Sequence, residues 1–406
     1  MKKILFIVPM PFHDKSSNAG AKVINYYIEK FRLDFDVSIL LCYEKNELDT
    51  KIMLEEKSYL KFIYNFKSKN IFEKFIDRLI ITDFYYNILN KISSKNYKTT
   101  GLIKKILNKS LINIVEPNIF DAVIVEFPTL VLHSNVIKRK FPNSKLIASV
   151  HDISFQSLER YLTTHSIWVN KSYYYKQFKK YELKKLINFD LIIVLCNKDK
   201  KLIETEIGKT KDILSINPFY DTYEYKSTIK KNGILFFGAL NRLENEKSII
   251  WFIENVWIKI YNKSLKLYIV GGGVKKELID YSIKYENIVI IGFVTDPTTI
   301  FRKCFAMVVP LQYGAGIKIK SLEALASGIP LLSNSIGIEG IEVNNLNEYL
   351  HCETPFDWLQ NIEIIISNSI LHNFLSENSK IFMNNNFNLS DSYKNYKNKI
   401  NNLLIN

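Results

Sequence analysis

The sequence predicts an α/β protein built from two doubly wound domains, each a parallel sheet wrapped by helices, whose ligand-binding edges face each other across a cleft. Three observations lead there. The chain has 406 residues, 47% of them hydrophobic, which is more than one ordinary core accommodates. Short, β-rich apolar runs alternate with helical patterns from one end to the other, the pattern of parallel strands joined by crossover helices. A single stretch, FYDTYEYKSTIKK between Phe219 and Lys231, loses both periodicities and divides the alternation in two.

In the first half the strand-like runs are KILFIVPM, DVSILLCY, LKFIYNF, DAVIVEF, KLIASVHD, DLIIVLC and DILSINPF. Their near-continuous apolar character is that of strands buried on both faces. They assign residues 1–220 to an N-terminal, Rossmann-like domain. GILFFGAL, LKLYIVGGG, ENIVIIGFV, CFAMVVPL, PLLSNS and EYLHCE repeat the layout and assign residues 232–388 to a second one. The last stretch, 389–406, reads as an amphipathic helix with Ser390 or Asp391 near its cap.

Composition narrows the setting. Cys42, Cys196, Cys304 and Cys352 lie far apart in or beside apolar runs, without metal-binding spacing, as expected of buried thiols in a cytoplasmic protein. The opening MKKILFIVPMPF breaks at Pro9 and Pro11 and offers no small-residue cleavage site, so it reads as the first strand and not as a leader. No run reaches the roughly 18 apolar residues of a membrane span. The net charge of +14 is uneven: residues 51–115 hold 13 Lys/Arg against 5 Asp/Glu, interleaved with Phe, Tyr and Ile. That mixture suits an anionic membrane surface on the inner face of the cell membrane, and equally a Lys-rich solvated face in a chain rich in Lys, Asn and Ile. Nucleic-acid binding would rest on charge alone and is not adopted.

Ligands of open parallel sheets bind beyond the carboxyl ends of the strands. The polar, glycine and cationic residues collect there: the loop to Gly20, Glu126, His151-Asp152, Asn241-Arg242, Gly271 to Gly273, Gly292-Phe293 and Tyr313 to Lys318. In YGAGIKIKSLEALASGIP, residues 313–330, Gly314 and Gly316 permit close backbone approach to a ligand, and a helix is expected from about Ile317 to Ala326. Lys318 and Lys320 oppose the positive end of that helix by about 0.3–1 kcal/mol each. A bound polyanion reverses the sign, and phosphate oxygens can use the free amides and an ammonium together. One D-x-D pattern, Asp34-Phe-Asp36, precedes a strand and so falls at the amino edge, away from such a site.

The whole stretch, with SIGIEG at 335–340, resembles the donor-site signature of retaining glycosyltransferases of family 4, the group 1 transferases of GT-B fold. FFGAL at 236–240, LYIVGGG at 267–273, IIGFV at 290–294, VVPL at 308–311 and SVHD at 149–152 agree with it, most closely over residues 233–350. The resemblance implies a nucleotide-sugar donor, a UDP-sugar favoured, held by the second domain. It implies a glycan or lipid-linked acceptor held by the first, cell-surface polysaccharide synthesis as the setting, and no metal or other cofactor. By position it gives Gly20, Arg242, Gly292, Phe293, Tyr313, Gly314, Ala315, Gly316, Ile317, Lys318 and Glu323 to the donor, Glu323 taking the ribose hydroxyls. Gly292-Phe293 would lie against the base through backbone groups, and His151 and Lys318 would carry the catalysis. Glu126 and Asp152 are expected at the acceptor, and the C-terminal helix is expected to cross back to the first domain. Two departures stand out. The first acid of the family's paired-glutamate pattern is replaced by Ala315, and the arginine expected after Gly238 is Ala239, with Lys318, then Arg242 or Lys247, as substitutes.

Two other functional classes share the architecture. A sugar-nucleotide epimerase needs several cleft carboxylates for proton shuttling, and few stand at these strand ends. A non-catalytic binding subunit is suggested by Ala315; it would grip a nucleotide-sugar without turnover.

Overall fold

The computed structural model describes residues 1–13, 16, 19–42, 52–53, 55–57, 61–64, 119–164, 170–209, 211–218, 229–260 and 264–405. Most of the basic 51–115 stretch, Asn18 of the glycine loop and residues 219–228 of the polar divide lie outside them. The chain forms two compact units, Met1–Pro218 with Ser390–Asn406, and Phe219–Leu389.

In the first unit β1 (Lys3–Val8), α1 (Ala19–Phe31), β2 (Asp36–Leu41) and β3 (Lys61–Tyr64) lead to β4 (Ala122–Glu126) and the short α2 (Pro128–Val131) and α3 (Ser134–Lys140). Then come β5 (Lys145–Val150), α4 (Ser154–Thr164), α5 (Lys171–Leu186), β6 (Leu191–Val194), α6 (Asn197–Ile207) and β7 (Asp212–Ser215). The strands form one seven-stranded sheet in the order β3-β2-β1-β4-β5-β6-β7, every pair parallel. Winding reverses between β1 and β4. Both strands bury their side chains almost completely, as the apolar runs require.

The second unit repeats the plan with β8 (Gly233–Phe237), α7 (Leu243–Asn255), β9 (Lys266–Val270), α8 (Lys276–Lys284), β10 (Ile288–Gly292), α9 (Thr298–Lys303), β11 (Cys304–Val309), α10 (Ile319–Ser327), β12 (Leu331–Ser333), β13 (Tyr349–His351), α11 (Pro355–Ser367) and α12 (Ser369–Asn386). Its parallel sheet runs β10-β9-β8-β11-β12-β13, so winding reverses between β8 and β11. Trp257, Trp358, Phe236 and Phe252 fill the core beneath it.

The last helix, α13 (Leu389–Ile405), packs on the first unit. Tyr396 and Ile400 enter the core formed by Phe6, Tyr27 and Phe31, with the Tyr396 ring edge-on to Tyr27 at 5.3 Å and to Phe31 at 5.0 Å. Asp34, of the dismissed D-x-D pattern, is the polar anchor of this docking: it accepts from Tyr393 and from Lys397. Ser390 and Asp391 fall in its first turn, near the cap as expected. All four cysteines are buried and free.

The Tyr396 hydroxyl has no hydrogen-bond partner among the described residues. Tyr396→Phe is therefore expected to leave the melting temperature unchanged or slightly raised, because no bond is lost and a buried polar atom disappears. Tyr396→Ala should cost about 3 kcal/mol, the usual price of emptying a buried aromatic site. Thermal unfolding of the two variants side by side measures the contrast.

Candidate active site

Each unit gathers its chemistry where the winding reverses, the crevice in which open parallel sheets bind ligands. In the second unit the loops after β8 and β11 meet there. The β11 loop is anchored at several points. Tyr313 donates its hydroxyl to the Leu243 carbonyl at 3.1 Å, and the Gln312 amide donates to Ser248 Oγ at 3.1 Å. Asn334 Nδ2 donates to the Leu311 carbonyl at 2.6 Å and its Oδ1 accepts from the Gly337 amide at 2.9 Å. Tyr313, placed at the donor by resemblance, is thus buried with its hydroxyl spent on α7; it holds the loop's shape. Gly316 at φ 69° and Gly314 at φ 126° turn the chain through conformations closed to ordinary residues, which delays the helix. It starts at Ile319, two residues later than the sequence suggested, with Lys318 extended at the N-cap.

Lys318 is buried. Its ammonium donates to the Gly316 carbonyl at 2.5 Å and pairs with Glu339 at 3.5 Å. Glu339, inside the quoted SIGIEG, was not singled out from sequence. It comes from the turn after β12, and Ser321 Oγ ties that turn to α10 through the Gly337 carbonyl at 2.6 Å. Gly337 is obligatory, since a Cβ would lie 2.1 Å from Ser333 Oγ. Ala315 and Glu323 are half-buried on this loop and on α10, and Ile317 is buried beside Lys318.

The other lysine at the helix start, Lys320, was noted from sequence as a misplaced cation but not assigned to the donor. Lys320 crosses the reversal point and donates to Asn245 Oδ1 on α7, while Asn245 Nδ2 donates to the Ala239 carbonyl at 2.8 Å. Its amine is over the face of Phe236, 5.0 Å from the ring centre. A Cβ on Gly238 would lie 3.1 Å from that amine. Burial first, and then the neighbouring Arg242 guanidinium, push the Lys320 amine down to about 7. The one sequence signal was the alternation Lys318-Ile319-Lys320, which places both lysines at a helix start, where cations are out of place.

Arg242, at the N-cap of α7, pairs with Glu244. Burial works against the Glu244 charge, yet the guanidinium holds that carboxyl below its usual range. Lys247 pairs with Glu277 of α8 at 3.3 Å. The glycine loops interlock: a Cβ on Gly271 would lie 1.9 Å from the Gly238 carbonyl oxygen, and one on Gly273 would lie 2.5 Å from Asn241 Cβ. The Gly292 carbonyl accepts from the Gly271 amide at 2.8 Å. The exposed Phe293 ring is the free feature of this loop.

In the first unit Glu126 and His151 stand on adjacent strand ends, His151 Nε2 to Glu126 Oε2 at 2.9 Å, both side chains buried. An ionised Glu126 only accepts, so Nε2 is the donor of this bond and Nδ1 is the ring nitrogen it does not use. Glu126, expected at the acceptor, has its Oε2 engaged by His151. Phe127 stacks on the His151 ring at 3.9 Å and 10°. To do so it adopts φ 70°, a strained conformation for an aromatic residue, held by its amide on the Ser149 carbonyl at 2.9 Å. Gly20 is explained by the same ring, since a Cβ there would lie 2.3 Å from Phe127 Cζ; its lack of a side chain has a packing reason. Asp152 is half-buried beside His151. The loop it begins is fixed by Glu182 of α5, which accepts from the Ser154 amide at 3.1 Å and the Phe155 amide at 2.7 Å. Burial pushes the Glu182 carboxyl up to about 7 in spite of those amides. Among the described residues no three His, Cys, Asp or Glu side chains gather to hold a metal, and no helix is long and apolar enough to cross a membrane.

Residues 231–368 match the family model described as glycosyl transferases group 1. A protein of Klebsiella pneumoniae, described as an uncharacterized 44.6 kDa protein in the cps region, is 26% identical over 330 residues, covering 76% of this chain and 77% of that one. Among solved structures, sucrose-phosphate synthase of Thermosynechococcus elongatus superimposes with a TM-score of 0.72 at 12% identity, over 100% of both chains. Anabaena HepE in complex with UDP-glucose gives 0.68 at 12% identity, over 99% of this chain and 100% of that one.

The Lys320 amine predicts a pH signature. An unfolded lysine keeps its proton to about 10.4, whereas the native one releases it near 7. Between those values the unfolded chain binds more protons, so this site's contribution to stability rises with pH and its full cost is present below pH 7. Lys320→Met removes the titration. Its melting temperature relative to wild type should be higher at pH 7 than at pH 9.5, the advantage shrinking as pH rises.

Proposed function

We propose that this chain, a group 1 glycosyltransferase of the GT-B fold, transfers a sugar from a UDP-sugar to a glycan or lipid-linked acceptor, with retention at the anomeric carbon. The observation that carries the reading is the β11 loop, whose two glycines and N-cap lysine gather at the reversal point of the second sheet. Breaking the bond between the anomeric carbon and the phosphate oxygen builds negative charge on the diphosphate and positive charge on the ring. Fixed amides of the helix start and the Lys318 ammonium answer the first without reorganising. A lysine already desolvated and held by Glu339 has little orientational freedom to lose on meeting the diphosphate.

Glu323 takes the ribose hydroxyls, and the Phe293 ring offers an aromatic surface for the base. His151, with Nε2 fixed by Glu126, presents Nδ1 to a hydroxyl of the transferred sugar or the acceptor. For retention, the acceptor hydroxyl arrives on the face from which the diphosphate leaves, and a departing phosphate oxygen takes its proton. The resemblance to family 4 and the Klebsiella relative's place in a cps region support a setting in cell-surface polysaccharide synthesis, with the protein on the inner face of the membrane.

Ligand-induced melting shifts with UDP-, GDP- and dTDP-sugars identify the donor, a UDP-sugar giving the largest rise. Lys318→Ala should lose that shift and lower transfer by roughly 100-fold or more, the scale of removing one charge-stabilising donor, with an unchanged far-UV spectrum. Undiminished turnover in this variant would remove Lys318 from the mechanism.

A further inference from the structure

Lys318 has its own counter-ion in Glu339, and Arg242 has one in Glu244. Lys320 has no ion pair among the described residues. Its amine donates to Asn245 Oδ1 and lies over the face of Phe236, and a Cβ on Gly238 would lie 3.1 Å from it. The charged groups facing it are two of each sign, Arg242 and Glu244 from the α7 side and Lys318 and Glu323 from the α10 side. The amine thus stands in an apolar niche at the junction of the two loops that frame the reversal point, connected through Asn245 to the Ala239 carbonyl.

We propose that Lys320 is a proton-coupled phosphate sensor: an amine without a counter-ion, held by a neutral amide and an aromatic face, that takes up a proton from solvent as a nucleoside diphosphate binds beside the Gly238 and Gly316 loops. The inference rests on the donor reading above and deepens it by naming the group that supplies the last positive charge. The balance is simple. The amine nitrogen lone pair accepts a solvent proton, no covalent bond to the ligand forms, and the entering diphosphate charge stabilises the resulting ammonium. A group at about 7 is roughly nine-tenths deprotonated at pH 8, which supports an uptake near one proton per ligand. Because binding then favours the protonated state, affinity must weaken as pH rises above 7, by up to about tenfold per pH unit.

The test titrates UDP into the full-length protein by calorimetry at pH 8, in HEPES and in Tris, whose ionisation heats differ; UDP is fully ionised at this pH. The wild-type chain should take up about 0.9 proton per UDP, and its Kd should rise from pH 7 to pH 9. Lys320→Arg, charged throughout, should bind UDP at pH 8 within about threefold of wild type or more tightly, with no proton uptake and a flat pH profile. Lys320→Met should lose the uptake and bind at least tenfold more weakly. Uridine, which lacks phosphate, should cause no uptake. UDP binding without uptake in the wild type, or equal uptake in Lys320→Arg, overturns this inference and leaves the donor reading intact. Failure of UDP, GDP and dTDP alike to bind overturns the donor reading and this inference with it. Should Lys320→Met not fold, the arginine variant decides the question alone.

Discussion

The organisation of the second unit depends on how the loops after β8 and β11 are tied across the point where the sheet's winding reverses. Parallel crossover topology opens a crevice there, because the helices following the two strands leave on opposite faces. An open crevice binds an anion with precision only if its walls cannot shift. Three links prevent that: Tyr313 to the Leu243 carbonyl, Gln312 to Ser248, and Lys320 to Asn245. Each joins the β11 side to α7 on the β8 side. The interlocked glycines at 238, 271 and 273 leave no room for the walls to be built otherwise.

The electrostatics follow from that geometry. Cations at a helix start are unfavourable alone, and the chain compensates Lys318 with Glu339 from the neighbouring turn and Arg242 with Glu244 from its own helix. Lys320 receives a neutral amide and an aromatic face instead of a carboxylate. Three basic residues close together thus differ in what they ask of a ligand. Two are paired with carboxylates within the protein, while the third has no such partner and burial pushes its amine down. The position of the missing first acid, Ala315, is on the same loop; Glu339 brings a carboxylate to Lys318 from a different strand connection.

The first unit uses the equivalent crevice, between β1 and β4, for a different purpose. Among the described residues its reversal point holds an ordered imidazole, fixed by Glu126 at one nitrogen and by Phe127 on one face. The strained Phe127 backbone and the bare Gly20 are two halves of one packing solution. A ring over His151 requires both. The C-terminal helix closes the same core through Tyr396, so the end of the chain stabilises the sheet that carries His151.

Much of this was legible in the residues. The apolar runs placed the strands of both sheets because burial on both faces leaves a continuous hydrophobic signal, and the strand ends listed the loops that frame the crevices. Gly314, Gly316 and Lys318 could be read as an anion loop because glycine and misplaced charge are local facts. What could not be read was which side chain meets which. Glu339 reaches Lys318, Asn245 reaches Lys320, Glu182 caps α4, and the Tyr313 hydroxyl is taken up by α7 only because the crossovers bring distant segments together. Sequence fixes the order of strands and the chemistry at their ends through short-range patterning. The partners and protonation of those groups are decided by burial and contact, which come into being only when the sheet is wound.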